Sequence, residues 1–166
     1  MRRTCLLALA AATLTAQAPA GDPFAPLAFL LGTWRGDGAG DPGAGTGCFR
    51  FARQLDGKAL LRHNETHFPA RDGRPATEHG DLMVVYPEGG ALKALYLDNE
   101  GHVIHYLVSA RPGQATFLSE PAPGPRFRLS YRAVGADQVV TTFEIAPPDH
   151  PEGFVKYLEG SSRRGN

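Results

Sequence analysis

GTWRGDGAG, residues 32–40, holds the only tryptophan of this 166-residue chain, and seven glycines fall between Gly32 and Gly47. In an extended strand Trp34, Gly36, Gly38 and Gly40 share one face, while Arg35, Asp37 and Ala39 share the other. Glycine in a strand permits a sharp bend and the close approach of a second backbone. The first strand of a closed barrel needs both. A tryptophan at its start can plug one end. The same glycines also leave room inside for a ligand, and at this level both readings stand.

Working outward, the preceding run Pro23-Phe24-Ala25-Pro26-Leu27-Ala28-Phe29-Leu30-Leu31 is apolar and stops at Gly32. This suits a short helix of one or two turns ended by the glycine. Beyond it, short segments alternate with period two and are bounded by Gly, Pro, Asn or Asp. They predict strands over 33–40, 46–54, 59–68, 81–86, 92–97, 103–110, 115–119, 126–133, 138–145 and 154–162. Asp56-Gly57, Glu88-Gly89-Gly90, Asn99-Glu100-Gly101, Pro112-Gly113 and Val134-Gly135-Ala136 carry turn chemistry between them. No segment after residue 31 has a helical period. The expected fold is all-β: an antiparallel up-and-down meander of about ten strands, closed into a barrel to hide its edges.

The N-terminus reads differently. Arg2 and Arg3 precede the apolar run from Cys5 to Ala16, and Ala18-Pro19-Ala20 has the small-residue pattern of a cleavage site. This is the signature of a secretory signal peptide over 1–20, with a single barrel domain over 21–166 and a periplasmic or extracellular destination. The apolar run is too short to span a bilayer as a helix. Cleavage would remove two arginines and no acid, leaving 15 basic against 17 acidic residues. Such a balance offers no basic patch to nucleic acid. Cys5 would leave with the leader, so Cys48 would have no intramolecular disulfide partner.

The short helix followed by Gly-x-Trp on the first strand resembles the lipocalin-like calycin barrels. LLGTWRGDGAG is more specifically similar to the opening of nitrobindin-like haem-binding β-barrels. LDGKALLRHNETHFPA, DLMVVYP, LDNEGHVIHYLVS, FLSEPAPGPRFRLSYR and FEIAPPDHPEGFVKYLEGSSRR extend the likeness to an exported branch of such barrels. The resemblance implies that a C-terminal arginine, Arg163 or Arg164, stacks over Trp34 as a cation–π pair. It also implies an axial haem histidine on the last strand. Here GFVKYLEGSSRR has none, and the nearest position carries Tyr157. Tyrosine can ligate ferric haem, so haem enters as an alternative cofactor.

Three groups of residues could carry chemistry. His63, Glu65 and His67 alternate on one strand face, neighbours about 6.6 Å apart. With a fourth group from another strand (His79, His102 or His105) they could hold a metal. The other reading is a solvated outer face. Leu61 shares their face while Leu60 and Phe68 share the opposite one, so phase does not decide. Asn64-Glu65-Thr66 is also a formal glycosylation sequon. In the hairpin LYLDNEGHVIHYLVS, Tyr96, Asp98, His102, Ile104 and Tyr106 can cluster, either as cross-strand pairs or as a pocket rim. Asp98 or Glu144 could add an acid or base, but no catalytic spacing is present. Nucleophile elbows, phosphate loops and dinucleotide fingerprints are absent.

The expected function is therefore non-covalent binding of a small apolar or amphipathic molecule inside the barrel, with Trp34, Tyr96, His105, Tyr106 and Tyr157 as binding residues. Two alternatives accompany it. One is a haem or metal barrel using Tyr157 or the set His63, Glu65 and His67, with redox or isomerase chemistry. The other is a side-chain-filled barrel acting as a structural or interaction module of the cell envelope. A barrel with no cavity above roughly 300 Å³ would favour the latter.

Overall fold

Ten antiparallel strands follow one another around a ring: β1 (Gly32–Gly40), β2 (Gly45–Gln54), β3 (Ala59–Phe68), β4 (Thr77–Glu88), β5 (Ala91–Asp98), β6 (Val103–Arg111), β7 (Gln114–Ser119), β8 (Arg126–Ala133), β9 (Gln138–Ala146) and β10 (Val155–Arg164). Each pairs with its chain neighbours, and β10 returns to pair with β1, closing the barrel. The computed structural model describes residues 21–40 and 43–165, so the expected leader over 1–20 lies outside the described residues.

The strands predicted from sequence match within two residues at each end, with one exception. β4 begins at Thr77, four residues earlier than expected. Thr77-Glu78-His79-Gly80 is polar and glycine-containing and reads as loop. Its backbone nevertheless has a partner in β3, from Phe68 opposite Thr77 to Glu65 opposite Gly80. Pairing overrides the weak local preference, and the extension brings His79 onto the sheet.

The expected N-terminal helix is a 3-10 turn, Ala25–Leu30, with proline in its first positions. It plugs one end of the barrel. Phe24, Leu27 and Leu30 are fully buried there. Trp34 packs beneath: its indole Nε1–H donates to the Leu30 carbonyl at 2.9 Å, and its ring stacks on Phe49 with centroids 6.1 Å apart. Of the two C-terminal arginines it is Arg164 that covers the indole, its guanidinium carbon 4.3 Å from the ring. Arg164 Nη1 also donates to the Leu31 carbonyl at 2.7 Å. One side chain thus ties β10, the plug and the tryptophan together. Above this layer the rings of Phe49, Phe51, Phe117 and Tyr131 meet mainly edge to face, with centroids 5.5 to 6.1 Å apart, a favoured arrangement for aromatic cores.

The glycines of β1 serve the closing seam. A Cβ at Gly36 would stand 2.0 Å from the Ser161 carbonyl oxygen, and one at Gly40 would stand 2.0 Å from the Tyr157 carbonyl oxygen. Across the seam, a Cβ at Gly160 would meet the Asp37 carbonyl at 2.8 Å. At these positions the two terminal strands approach too closely for a side chain.

Candidate functional site

The barrel is filled only in its plugged half. Toward the other end a cavity of about 240 Å³ remains. The seam glycines Gly36, Gly38 and Gly160, with Gly45 and Gly47 of β2, form one wall. Phe49, Phe68, Ile104, Phe127, Leu129, Phe143, Tyr157 and Leu158 supply apolar surface. So the β1 glycines do both things expected of them: they let backbones meet, and they leave interior space.

Polar groups gather on one side of this cavity. β3 sends Arg62 and Asn64 inward, and β4 sends His79 and Asp81. Arg62 and Asp81 form an ion pair whose side chains are only 6% and 2% exposed. Asn64 Nδ2 donates to the second Asp81 oxygen at 2.9 Å. Burial alone would lower the Arg62 pKa, but Asp81, with the phenols of Tyr131 and Tyr96, outweighs it and holds the guanidinium charged. Pairing is what makes such a buried charge tolerable.

A second chain of contacts runs to the mouth. The Tyr96 hydroxyl lies 3.1 Å from His79 Nε2 and donates to Asp98 Oδ2 at 3.1 Å. His79 Nδ1 lies 3.0 Å from Glu100 Oε1. His102 donates its backbone N–H to Asp98 Oδ1 and sets its ring Nδ1 2.9 Å from Oδ2. Burial would raise the Asp98 pKa, but these donors from His102 and Tyr96 lower it instead. Burial, with Asp81 and Asp98 nearby, pushes the Tyr96 phenol far up, so it remains a hydrogen-bond donor.

The Asp81 carboxylate, 3.4 Å from His79 Nε2, is the main cause that raises the His79 pKa to about 8; Glu100 adds to it against partial burial. A folded-state pKa above the ordinary 6.5 means that charged His79 stabilises the fold. That contribution is fully present below pH 6.5 and is lost as pH rises through 8. His79→Gln is therefore expected to lose up to about 2 kcal/mol relative to the parent near pH 6 and to converge with it above about pH 9. Urea unfolding across this range checks it. A pH-independent difference would show that the imidazole acts only as a neutral spacer.

Of the residues picked from sequence, Tyr96, Tyr106 and Tyr157 line the cavity. Tyr96 and Tyr106 meet edge to face at 6.2 Å, and the hairpin group Tyr96, Asp98, His102, Ile104 and Tyr106 does come together there. Trp34 belongs to the plugged end and is not on the cavity wall. His105 requires correction: it is exposed on the outer face. Tyr106 points inward, and successive residues of a strand point to opposite sides.

His63, Glu65 and His67 also require correction as a metal set. They stand on the outer face with side chains 58%, 75% and 52% exposed, because Arg62, Asn64 and Thr66 take the inner one. Among the described residues, no group of three or more His, Cys, Asp or Glu side chains converges to hold a metal. Asn64 of the sequon is 8% exposed and bonded to Asp81, so the folded barrel does not offer its amide for glycosylation. Glu144 pairs with Arg128 at 2.6 Å and is not on the cavity wall.

The residues do not fit a haem. The cavity lies below the roughly 300–1,000 Å³ of drug-sized pockets, and a haem is larger than most such ligands. The lining histidines, His79 and His102, are each engaged by carboxylates. Tyr157 sits at an irregularity of β10, between Lys156 and Leu158, with its ring edge-on to Phe143 at 6.1 Å.

Sequence reasoning passed over Arg62 and Asp81, took Asn64 only as part of a sequon, and considered His79 only as a fourth metal ligand. One signal was present: Leu60, Arg62, Asn64, Thr66 and Phe68 share a face bounded by apolar residues at both ends.

No family model matches the chain, and no curated protein matches it. Among solved structures, the S-type phycobiliprotein lyase of Guillardia theta is similar at 10% identity over 83% of this chain and 89% of its own, with a TM-score of 0.50. A de novo designed fluorescence-activating β-barrel aligns at 12% identity over 82% and 94%, with a TM-score of 0.43. The nitrobindin-like resemblance gains no confirmation from them. By its fold, the chain is a closed ten-stranded antiparallel β-barrel.

Proposed function

We propose that this barrel binds a small amphipathic molecule in its open half. The observation that carries this reading is the cavity of about 240 Å³, apolar on most sides and polar along Arg62, Asn64, Asp81 and Tyr96. The volume falls below the roughly 300 Å³ under which a filled structural or interaction barrel is favoured; what supports binding instead is the mixed apolar and polar lining, and the size limits the ligand to the bulk of one or two fused aromatic rings. Burial of apolar surface at about 25 cal/mol per Å² drives entry, and the polar side sets orientation. Tyr96, Tyr106 and Tyr157 act as wall residues, while Trp34 acts indirectly by holding the plug that closes the far end.

For a ligand this small, Kd is expected between about 10 µM and 1 mM. Titration with 2-acetonaphthone, followed by protein NMR, tests this. Shifts should concentrate on Ile104, Leu129 and Phe143. Ile104→Trp, which places an indole in the cavity mouth, should weaken binding at least tenfold. Absence of saturable binding, or equal binding by Ile104→Trp, would sink the reading.

We also propose that the protein is exported with removal of residues 1–20. The intact mass of chain recovered from a secreting host should correspond to a start at Gly21. Retention of the leader would contradict this.

A further inference from the structure

Resting on the reading of a ligand cavity, the geometry points to the chemistry of the ligand's head. We infer that the floor of the cavity receives an oxygen hydrogen-bond acceptor, a carbonyl or a carboxylate, from Arg62 Nε–H and the Thr141 hydroxyl, with the Tyr131 hydroxyl buried behind them. The ligand's apolar body then extends toward the mouth.

Buried polar groups in folded proteins are almost always partnered, and an orphan costs about 1–3 kcal/mol. Among the described residues, four buried side-chain polar atoms have no partner; Arg62 Nε, Tyr131 Oη and Thr141 Oγ1 are three of them. These three are neighbours. Tyr131 and Thr141 stand directly opposite each other on β8 and β9. Phe49 joins them to Arg62: its ring lies 5.5 Å from that of Tyr131 and 5.9 Å from the guanidinium carbon. Arg62 and Tyr131 are 5% and 1% exposed, so bulk water does not serve them. Arg62 and Thr141 both lie on the cavity wall; Tyr131 lies behind it, its hydroxyl close to the Arg62 guanidinium but outside good hydrogen-bond geometry.

The unused capacity leans to donation. Arg62 Nε can only donate, and a hydroxyl beside it can turn its proton to the same oxygen. The nearby acceptors are already taken. One Asp81 oxygen holds Arg62 and the other holds Asn64; Asp98 holds Tyr96 and His102. Beside Arg62 the Asp81 oxygens are engaged, and the unengaged acceptors of the wall, Asp37 and Ser162, stand across the cavity on β1 and β10. An oxygen acceptor would pair with donors that no protein group satisfies, in a buried site where such bonds count for most. The charges facing the floor are Arg62 and His79 against Asp81, with Asp98, Glu100 and His102 nearer the mouth and Asp37 across the seam.

Two nearly isosteric probes test this: 2-acetonaphthone and 2-ethylnaphthalene, which differ by a carbonyl in place of a methylene. Despite its weaker partition out of water, the ketone should bind at least tenfold tighter. Thr141→Val removes a wall donor at nearly constant shape, and Tyr131→Phe removes the hydroxyl behind Arg62. Each should cut ketone affinity about three- to tenfold and leave ethylnaphthalene affinity unchanged, which also reports an intact cavity. The Arg62 Nε–H NMR signal should shift with the ketone only. Replacing the ketone with 2-naphthoate sorts the head: tighter binding assigns a carboxylate, weaker binding a neutral carbonyl. Equal binding of ketone and hydrocarbon overturns the inference while the cavity reading survives. So does an unchanged ketone advantage in both variants, which would mean that Arg62 and Tyr131 satisfy each other. Failure of every probe removes the cavity reading and this inference with it.

Discussion

Asp81→Ala is expected to cost about 3–5 kcal/mol of stability, as breaking a buried ion pair does elsewhere. The substitution removes few apolar contacts. Its cost arises because Arg62, only 5% exposed, would keep its charge without the carboxylate that pairs it, and Asn64 would lose the acceptor it now uses. The companion experiment separates charge from packing. Arg62→Met with Asp81→Leu removes both charges at similar volume, and such exchanges are often neutral or better. The double variant should therefore recover most of the single variant's loss, less the price of an unpartnered Asn64 amide. Urea unfolding with an unchanged m-value is the measurement. A loss below about 1 kcal/mol for Asp81→Ala would mean that water reaches the guanidinium, and the dry polar floor would be wrong.

Gly36→Ala should be at least as damaging, by a different route. The new methyl would sit 2.0 Å from a backbone oxygen and 2.6 Å from the Ser162 Cα. Neither atom can rotate away, so β1 and β10 must part. A loss above about 4 kcal/mol, or failure to fold, is expected; single substitutions of that size are exceptional. Gly80→Ala provides the control. It is also a strand glycine, but the nearest atom to its Cβ would be 3.9 Å away, and its effect should stay within about 1 kcal/mol. Similar losses at both positions would show that the seam is not as tight as described.

Much of the architecture could be read before any coordinates, because turns and alternation are local signals. Asp56-Gly57, Asn99-Glu100-Gly101 and Pro112-Gly113 punctuate the chain where the strands end. The phase of each strand was a different matter. In β6, Val103, His105 and Leu107 face out while Ile104, Tyr106 and Val108 face in, so both faces carry aliphatic residues. Leu82, Leu97, Val103 and Leu107 remain 41–60% exposed, which erases the contrast that alternation relies on. β3 inverts the usual expectation. Its inner face holds an arginine and an amide, affordable only because Asp81, nineteen residues beyond Arg62, arrives opposite. No local pattern announces a partner that folding supplies. The cation–π cover of Trp34, by contrast, was expected from a family likeness and is found in Arg164.

The closure between β1 and β10 also has consequences in time. Arg164 reaches back 133 residues to the Leu31 carbonyl, so the clasp over the plug can form only once the final strand exists. Long-range pairing of this kind carries a large loop-closure cost and slows folding. Until then β1 and β9 are both raw edges, and raw edges recruit strands from other molecules. A ribosome that stalls before β10, or a protease that clips it, thus leaves more than a shortened barrel. It leaves an adhesive sheet, and the last ten-residue strand is what retires that hazard.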